Sequence, residues 1–432
     1  MNRRRFLRNT ALAAAGTIGV PYILPTGRLF ASTGSRKVNH VVFCLFAGGV
    51  RNIESVHQND GNLMPNMLKG IKPITSDIAG SMTTLPPSPL LNPLQEYGTL
   101  FKEFRFDNGP TGHINGHVTA ITGQDTNNTL DIRNRTESPT IFELYRKHSN
   151  PEKAALNSWW ITTSNNYYPL LNHSQNAGYG SAYGANQLTP NSFFNYNLIK
   201  EIEEVWNSTG REAVVDDLNG FLNYNFFSGD NALSHVKNTK SDTEQVQAWL
   251  NTMISRVKQG DFSNPWQIPG GMNGDMRNVM YAEEVIKEFK PELLVVNMFG
   301  VDVAHTNFTS YCNTLQYADY ATAHLWDTIQ KTPGMKDDTI LVVMPEVGRN
   351  GTPNSIVDSN GRFALDHSSN DPTTREIFCL IAGPQGVIKQ DTEISTVTGR
   401  AVDVVPTIAD ALGFYGDVQG ALPGAPLTQA YL

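Results

Sequence analysis

The sequence predicts an α/β fold with a doubly wound, mainly parallel sheet, helices on both of its faces and a long insertion. Short, unbroken apolar segments of strand length recur along the chain, as expected of buried parallel strands. Segments with helical periodicity alternate with them, and this alternation is typical of parallel sheets. Residues 164–273 interrupt the alternation because they are rich in Asn, Tyr, Ser and Gly. This stretch is predicted to be an insertion or cap.

The predicted elements follow in chain order. Residues 38–46 form an unbroken apolar run that ends in Ala-Gly-Gly, so a buried strand is predicted to lead into a tight turn. A Ser-Pro pair begins the helix at residue 138, and Gly413 ends the last helix. The predicted strands are residues 38–46, 156–163, 293–299, 339–344 and 377–382. The predicted helices are residues 138–148, 243–258, 275–290, 311–331 and 402–412.

The N-terminus predicts export. Arg3 and Arg4 are followed, after one residue, by a Phe-Leu pair and then by a mildly apolar stretch at residues 11–24, which resembles a twin-arginine signal peptide. We expect residues 1–34 to be this signal, the twin-arginine export machinery to be a partner, and the mature protein to be periplasmic or secreted. The apolar stretch is shorter than the roughly 20 residues of a membrane span, so we expect no stable membrane span in the mature form. An uncleaved anchor or a general secretory signal is the alternative.

Composition favours one domain and excludes some partners. The chain has 432 residues without an internal repeat, and 40% of its residues are hydrophobic. That content is enough for one large core, so residues 35–432 are predicted to form a single α/β domain that contains the insertion. The formal net charge is −8. A chain of this charge is not expected to bind nucleic acid or an anionic membrane surface.

Polar residues follow or precede the predicted strands at their ends. Asp302 and His305 follow one strand, Glu346 and Arg349 follow the next, and His367 precedes the last. In open α/β sheets, ligands bind outside the carboxyl ends of the strands. These residues are therefore the candidates for a functional site.

The order of these residues resembles that of a known family. Asp302 is followed after two residues by His305, a final histidine comes at His367, and residues 402–408 read Val-Asp-Val-Val-Pro-Thr-Ile. This order is similar to that of the alkaline phosphatase superfamily, which includes phosphatases, sulfatases and phosphomutases. The resemblance implies an alkaline-phosphatase-like α/β fold. It covers residues 38–162 and 291–414.

The resemblance also implies a divalent metal site with Asp302, His305, Glu346 and His367 as ligands. Carboxylate and imidazole donors suit zinc, manganese or iron. A bound dication polarises a phosphoryl or sulfuryl oxygen, so the implied activity is hydrolysis of phosphate or sulfate esters, with a small anionic ester or a glycan as substrate. Asp366 is expected to orient His367 as its hydrogen-bond partner. A hydrogen-bonded polar cluster without metal is the alternative.

The chain departs from the superfamily pattern at three positions. Gly48 stands where the first strand of the family ends in Asp, and Val347 stands where the family has His. His113, ten residues before Gly123, occupies the position of the family's nucleophilic Ser, Thr or Cys. These changes remove most of the second metal site and the usual attacking group. Two functions therefore remain open: an exported metal-dependent hydrolase with an atypical active site, and a non-catalytic exported binding or scaffold protein with the same fold.

Two histidines are candidates to supply the missing chemistry. His113 is expected to begin a helix, whose N-terminus attracts anions such as phosphate or sulfate. His117 lies four residues later on the same helix face. We predict that both act as acid and base, bind the anion or complete the metal site, and that Arg349 clamps an anionic substrate. The alternative is that His113 only hydrogen-bonds to the strand-end carboxylates.

Overall fold

A computed structural model describes residues 35–57, 80–126, 135–149, 155–162, 168–190, 194 and 238–432. It also places four two-residue strands, which pair as Tyr22–Ile23 with Leu29–Phe30 and as Asn59–Asp60 with Lys72–Pro73. Most of the predicted signal at residues 1–34 lies outside the described residues. The same holds for residues 195–237 of the predicted insertion.

An eight-stranded sheet forms the centre of the described fold. Its strands are β1 (His40–Phe46), β2 (Gly98–Arg105), β3 (Ser158–Ile161), β4 (Asn186–Leu188), β5 (Leu293–Met298), β6 (Thr339–Pro345), β7 (Glu376–Ala382) and β8 (Thr392–Ile394). The spatial order is β8-β2-β7-β6-β1-β5-β3-β4. Within this sheet β7 runs antiparallel to both of its neighbours, while the other strand pairs are parallel. The predicted mainly parallel sheet is confirmed.

Helices cover both faces of the sheet. They are α1 (His113–Thr122), α2 (Ile141–His148), α3 (Lys240–Gln259), α4 (Gly274–Phe289), α5 (Phe308–Lys331), α6 (Val404–Ala411) and α7 (Tyr415–Val418). Alternate residues of a strand point to opposite faces. Val42 and Cys44 of β1 therefore pack with α3, α4 and α5, whereas Val41 and Phe43 pack with α1, α2 and α6. The predicted doubly wound arrangement is confirmed. Within the described residues, no helix is both long enough and apolar enough to cross a membrane.

Three strands of the sheet were not predicted from the sequence. β2 carries Lys102 and Glu103 among its apolar residues, and β8 has three residues, of which two are polar, so neither shows an unbroken apolar run. β4 lies inside the predicted insertion and pairs with β3 at the edge of the sheet. In α3, Trp249 packs against Trp159 of β3, with 5.9 Å between ring centroids. Parts of the predicted insertion are therefore integrated into the main fold.

Candidate metal centre

The parallel strands β1, β5 and β6 end side by side. The register pairs the last residue of β1 with the last residues of β5 and of β6. A short helical turn, Gly300–His305, follows β5 and carries Asp302 and His305. Glu346 directly follows β6. The structure therefore brings these polar residues to the sheet edge where ligands bind in folds of this class.

Four side chains converge at this edge: His113, Asp302, His305 and His367. One possible ligand atom of each lies within 4.8 Å of those of the other three. His113 Nε2 lies 2.9 Å from Asp302 Oδ1 and 3.0 Å from His367 Nε2. His305 Nε2 lies 3.3 Å from the same Asp302 oxygen. We refer to these residues as the four-residue cluster.

Two histidines of the four-residue cluster are anchored by acceptors outside it. His305 Nδ1 donates to Asp366 Oδ1 at 2.7 Å. His367 Nδ1 donates to the carbonyl oxygen of Thr111 at 2.7 Å. The expectation that Asp366 orients His367 is therefore wrong, since Asp366 orients His305 instead. Asn354 supports this contact by donating to Asp366 Oδ1 at 3.1 Å and to the His305 carbonyl oxygen at 3.2 Å.

His113 begins α1, as predicted, and is anchored by Glu346. Its Nδ1 donates to Glu346 Oε1 at 2.6 Å. All three histidines of the cluster thus use Nδ1 as the outward donor, which directs Nε2 at the cluster. Metal-binding histidines are usually oriented in this way. Glu346, a predicted metal ligand, contacts the outer nitrogen of His113 and is not one of the four converging groups.

Glu346 is completely buried between the two histidines of α1. Its carboxylate also contacts His117 Nδ1 and accepts the Gly48 backbone N–H at 2.5 Å. Burial raises the pKa of Glu346, but the positive charges of His117 and His113 outweigh burial and hold the pKa well below its usual range. An ionised Glu346 therefore fixes the ring of His113 from behind.

His117 is completely buried and lies outside the four-residue cluster. Its Nδ1 lies 2.7 Å from the His113 carbonyl oxygen, and its Nε2 lies 3.1 Å from Asn297 Oδ1. His113 and His117 both contact the Glu346 carboxylate, so they lie on one face of α1, as predicted. Asn297 was not predicted as part of the site. The available signal was its polar side chain within the otherwise apolar strand β5.

The four-residue cluster contains protonated and unprotonated groups side by side. Burial lowers the pKa of His113, but the charge of Glu346 and the contact with Asp302 outweigh burial and raise the pKa to about 9. Burial and the positive charges of His113 and Arg349 lower the pKa of His367 to about 4. Burial raises the pKa of Asp302, but its hydrogen bond with His113 and the charge of Arg349 contribute to a pKa far below the usual range. A proton on His113 Nε2 therefore lies between an anion and a neutral imidazole.

Arg349 is completely buried and is held by groups of the protein. Its Nε donates to the Gly49 carbonyl oxygen at 3.3 Å, and its Nη1 donates to that of Leu365 at 3.0 Å. Its Nη2 donates to the Gly48 carbonyl oxygen and, at 2.9 Å, to Asp302 Oδ1. These contacts tie the turn after β1 to Asp302. They make Arg349 a support for the cluster.

Gly48 is closely packed against Asp302. Its φ is +106°, a backbone conformation that favours glycine. A Cβ atom at Gly48 would lie 2.5 Å from the Asp302 backbone nitrogen. The position where the resemblance expects a metal-binding Asp therefore has no room for a side chain in this conformation.

Comparisons with known proteins concern the fold. No family model and no curated protein sequence matches this chain. Solved structures that match it include an alkaline phosphatase superfamily protein from Vibrio parahaemolyticus, with 14% identity, 96% of this chain and 76% of that chain covered, and a TM-score of 0.44. The wild-type alkaline phosphatase PafA matches with 11% identity and a TM-score of 0.49, and the match covers 92% of this chain and 100% of that chain. The phosphonate monoester hydrolase SpPMH from Silicibacter pomeroyi matches with 14% identity, 90% and 76% coverage and a TM-score of 0.42.

Proposed function

We propose that this chain is an exported metal-dependent hydrolase that acts on phosphate or sulfate esters, with a small anionic ester or a glycan as substrate. The supporting observation is the convergence of three imidazole Nε2 atoms and one carboxylate oxygen, with each Nδ1 held by an outer acceptor. Imidazole and carboxylate groups are ordinary ligands of zinc, manganese and iron. One of these divalent ions is the proposed cofactor.

The donor atoms of the four-residue cluster suit a single cation. Metal bonds of about 2.0–2.2 Å place the ligand atoms of one ion roughly 3 to 4.4 Å apart. The shortest contacts in the cluster are 2.9, 3.0 and 3.3 Å, and all four atoms lie within 4.8 Å of one another. Small side-chain movements, together with loss of the proton from His113 Nε2, therefore suffice for binding. In this proposal Glu346 orients His113, and Arg349 orients Asp302.

The attacking group in the proposed reaction is water. The bound ion would polarise a phosphoryl or sulfuryl oxygen and lower the pKa of a bound water. His113, which has no hydroxyl or thiol, occupies the family's nucleophile position. The nearby hydroxyl of Thr111 does not replace the nucleophile, because it is buried and hydrogen-bonded to the His367 carbonyl oxygen and to Ser369 Oγ. We therefore propose a single displacement: the water oxygen bonds to phosphorus or sulfur as the bond to the ester oxygen breaks, the water loses a proton and the leaving oxygen gains one, and no covalent enzyme intermediate forms.

Metal analysis of the purified protein, combined with an aryl-ester assay, tests this proposal. We expect one bound transition-metal ion per chain and metal-dependent hydrolysis of an aryl phosphate or an aryl sulfate. His305→Ala and His367→Ala should each lose the ion and the activity. His57→Ala is the matched control, because His57 pairs with Glu103 outside the cluster. Absence of a bound ion together with absence of hydrolysis would contradict the proposal.

A non-catalytic binding role is the second candidate function. The observation that favours it is the change at all three family positions, where Gly48, Val347 and His113 replace catalytic residues. A protein of this kind would bind the metal ion and an inorganic phosphate or sulfate anion without hydrolysing esters. Calorimetric titration of the metal-loaded protein with both anions, beside the ester assay, separates the two functions.

We propose that the chain is exported in a folded state by the twin-arginine machinery, to the periplasm or the outside of the cell. The support is the Arg3-Arg4 motif and the apolar stretch that follows it. A reporter fused to residues 1–34 should be exported, and the double change Arg3→Lys with Arg4→Lys should retain it in the cytoplasm. Equal export of both fusions would refute this route.

A further inference from the structure

We propose that Asp275 is a positioning residue that preforms the Gly300–His305 turn and so sets the metal affinity of the four-residue cluster. This inference rests on the proposed metal-dependent function. Asp275 lies in the first turn of α4 and is not one of the four converging residues. It acts through the backbone, since its contacts with the turn are made to amide groups.

The contacts place the Asp275 carboxylate at the beginning of the turn. The Gly300 N–H lies 3.2 Å from Asp275 Oδ1 and 3.0 Å from Oδ2, and Phe299 donates a second backbone hydrogen bond to the same carboxylate. The first N–H groups of a helical turn have no partner within the turn. Asp275 supplies that partner from another helix. Two of the four converging side chains, Asp302 and His305, lie on this turn.

The lack of a side chain at Gly300 makes room for the Asp275 carboxylate. A Cβ atom at Gly300 would lie 2.5 Å from Asp275 Oδ2 and 2.5 Å from Thr314 Cγ2. The absence of a side chain lets the carboxylate approach the amide closely, while α5 closes the other side through Thr314. The start of the turn is therefore confined between α4 and α5.

Burying the ionised Asp275 carboxylate costs free energy, and the hydrogen bonds from Gly300 and Phe299 offset that cost only in part. Asp275 is completely buried, and burial raises its pKa to about 7, although the N–H groups of Gly300 and Phe299 lower it. A carboxylate offers two acceptor oxygens, whereas an asparagine amide offers one and turns an N–H donor toward the backbone. Asp275→Asn therefore removes an acceptor with little change of shape.

The test compares metal affinity between two variants of the same helix. Asp275→Asn alters the carboxylate that holds the turn. Glu283→Gln is the matched control, because Glu283 is also buried in α4 but bonds to Thr328 of α5 instead of the turn. Co²⁺ and Zn²⁺ are titrated into each metal-free protein, with Co²⁺ followed by its visible absorption, and the melting temperature of each metal-free variant is recorded.

We expect Asp275→Asn to weaken metal binding by about 10- to 100-fold, as changes to groups that orient ligands do. Glu283→Gln should leave the metal affinity within a factor of about two or three of the wild type, because Glu283 contacts no group that orients a ligand. Equal affinities of Asp275→Asn and wild type would overturn the inference and leave the proposed function intact. An equal loss in Glu283→Gln would overturn it by showing a general effect of destabilisation. Absence of binding in the wild type would overturn the proposed metal site, and this inference with it.

Hydrogen exchange of the wild-type protein provides a measurement that does not depend on folding of a variant. If Asp275 preforms the turn, the amides of Phe299 and Gly300 exchange slowly already in the metal-free protein. Fast exchange of both amides without metal, followed by protection on Zn²⁺ addition, would show that the ion organises the turn and would overturn the inference.

Discussion

Gly48→Ala tests whether the close packing of the turn after β1 against Asp302 excludes a side chain at the family's first metal-binding position. The left-handed conformation costs an alanine about 1–2 kcal/mol. The new Cβ atom also lies 2.5 Å from the Asp302 nitrogen and 3.0 Å from its Cα, and overpacking of this kind costs about 1–3 kcal/mol. The free energy of unfolding should therefore fall by roughly 2–5 kcal/mol in total. Because Asp302 must shift, metal affinity should fall as well.

Gly271→Ala separates the two contributions. Gly271 has a φ of +91°, but no heavy atom lies within 4 Å of the place that a Cβ atom would occupy, so only the backbone cost of about 1–2 kcal/mol applies. Urea denaturation of the metal-free proteins gives both stability changes, and Zn²⁺ titration gives both affinities. Equal stability losses in the two variants, with unchanged metal affinity in Gly48→Ala, would refute the packing argument.

Three further predictions concern charged groups. Asp366→Asn should weaken Zn²⁺ binding by about 10-fold or more because it replaces the charged acceptor of His305 Nδ1 with a neutral amide oxygen, and Asp371→Asn, in the same loop, should not; calorimetry distinguishes them. Burial raises the pKa of Glu283 from 4.5 to about 8. Between these two pH values the folded state keeps a proton on Glu283 that the unfolded state has lost. The free energy of unfolding should therefore fall by about 1.4 kcal/mol for each unit by which the pH rises through this range. Urea denaturation at pH 5 and 8 should show that Glu283→Gln removes this component. Arg349→Met should lower the free energy of unfolding by about 3–5 kcal/mol, because it leaves three buried carbonyl groups without this donor and removes one of the cations beside Asp302; a loss below about 1 kcal/mol would contradict this.

The central strands could be predicted because strands that are buried on both faces have an almost entirely apolar composition. β1, β5 and β6 are covered on both faces, so every position is apolar or nearly so and the run stands out locally. β2 and β8 are strands because of their partners: β2 pairs with β7 over its length and with β8 over three residues, while carrying Lys102 and Glu103. Such pairing between distant segments leaves little trace in either segment alone.

The candidate site was predicted as a set of residues but not as an arrangement. Their position at the ends of the predicted strands selected Asp302, His305, Glu346 and His367, and the family resemblance assigned His113 to the nucleophile position. Position at a strand end does not distinguish a residue that faces the cluster from one that supports it. Glu346 therefore entered the prediction as a ligand, whereas the structure places it at the outer nitrogen of His113.

The sequence by itself determined the fold class, the central strands and the chemistry available at their ends, because the burial of an element is reflected in its local composition. Only the tertiary structure decided which partner each group has: Asp366 for His305, Thr111 for His367, and Glu346 for the first residue of α1. Hydrogen bonds act over about 3 Å, and these partners are separated by 61 to 256 positions along the chain. Contacts of that range are set by packing of the sheet and its helices, and local sequence does not encode them.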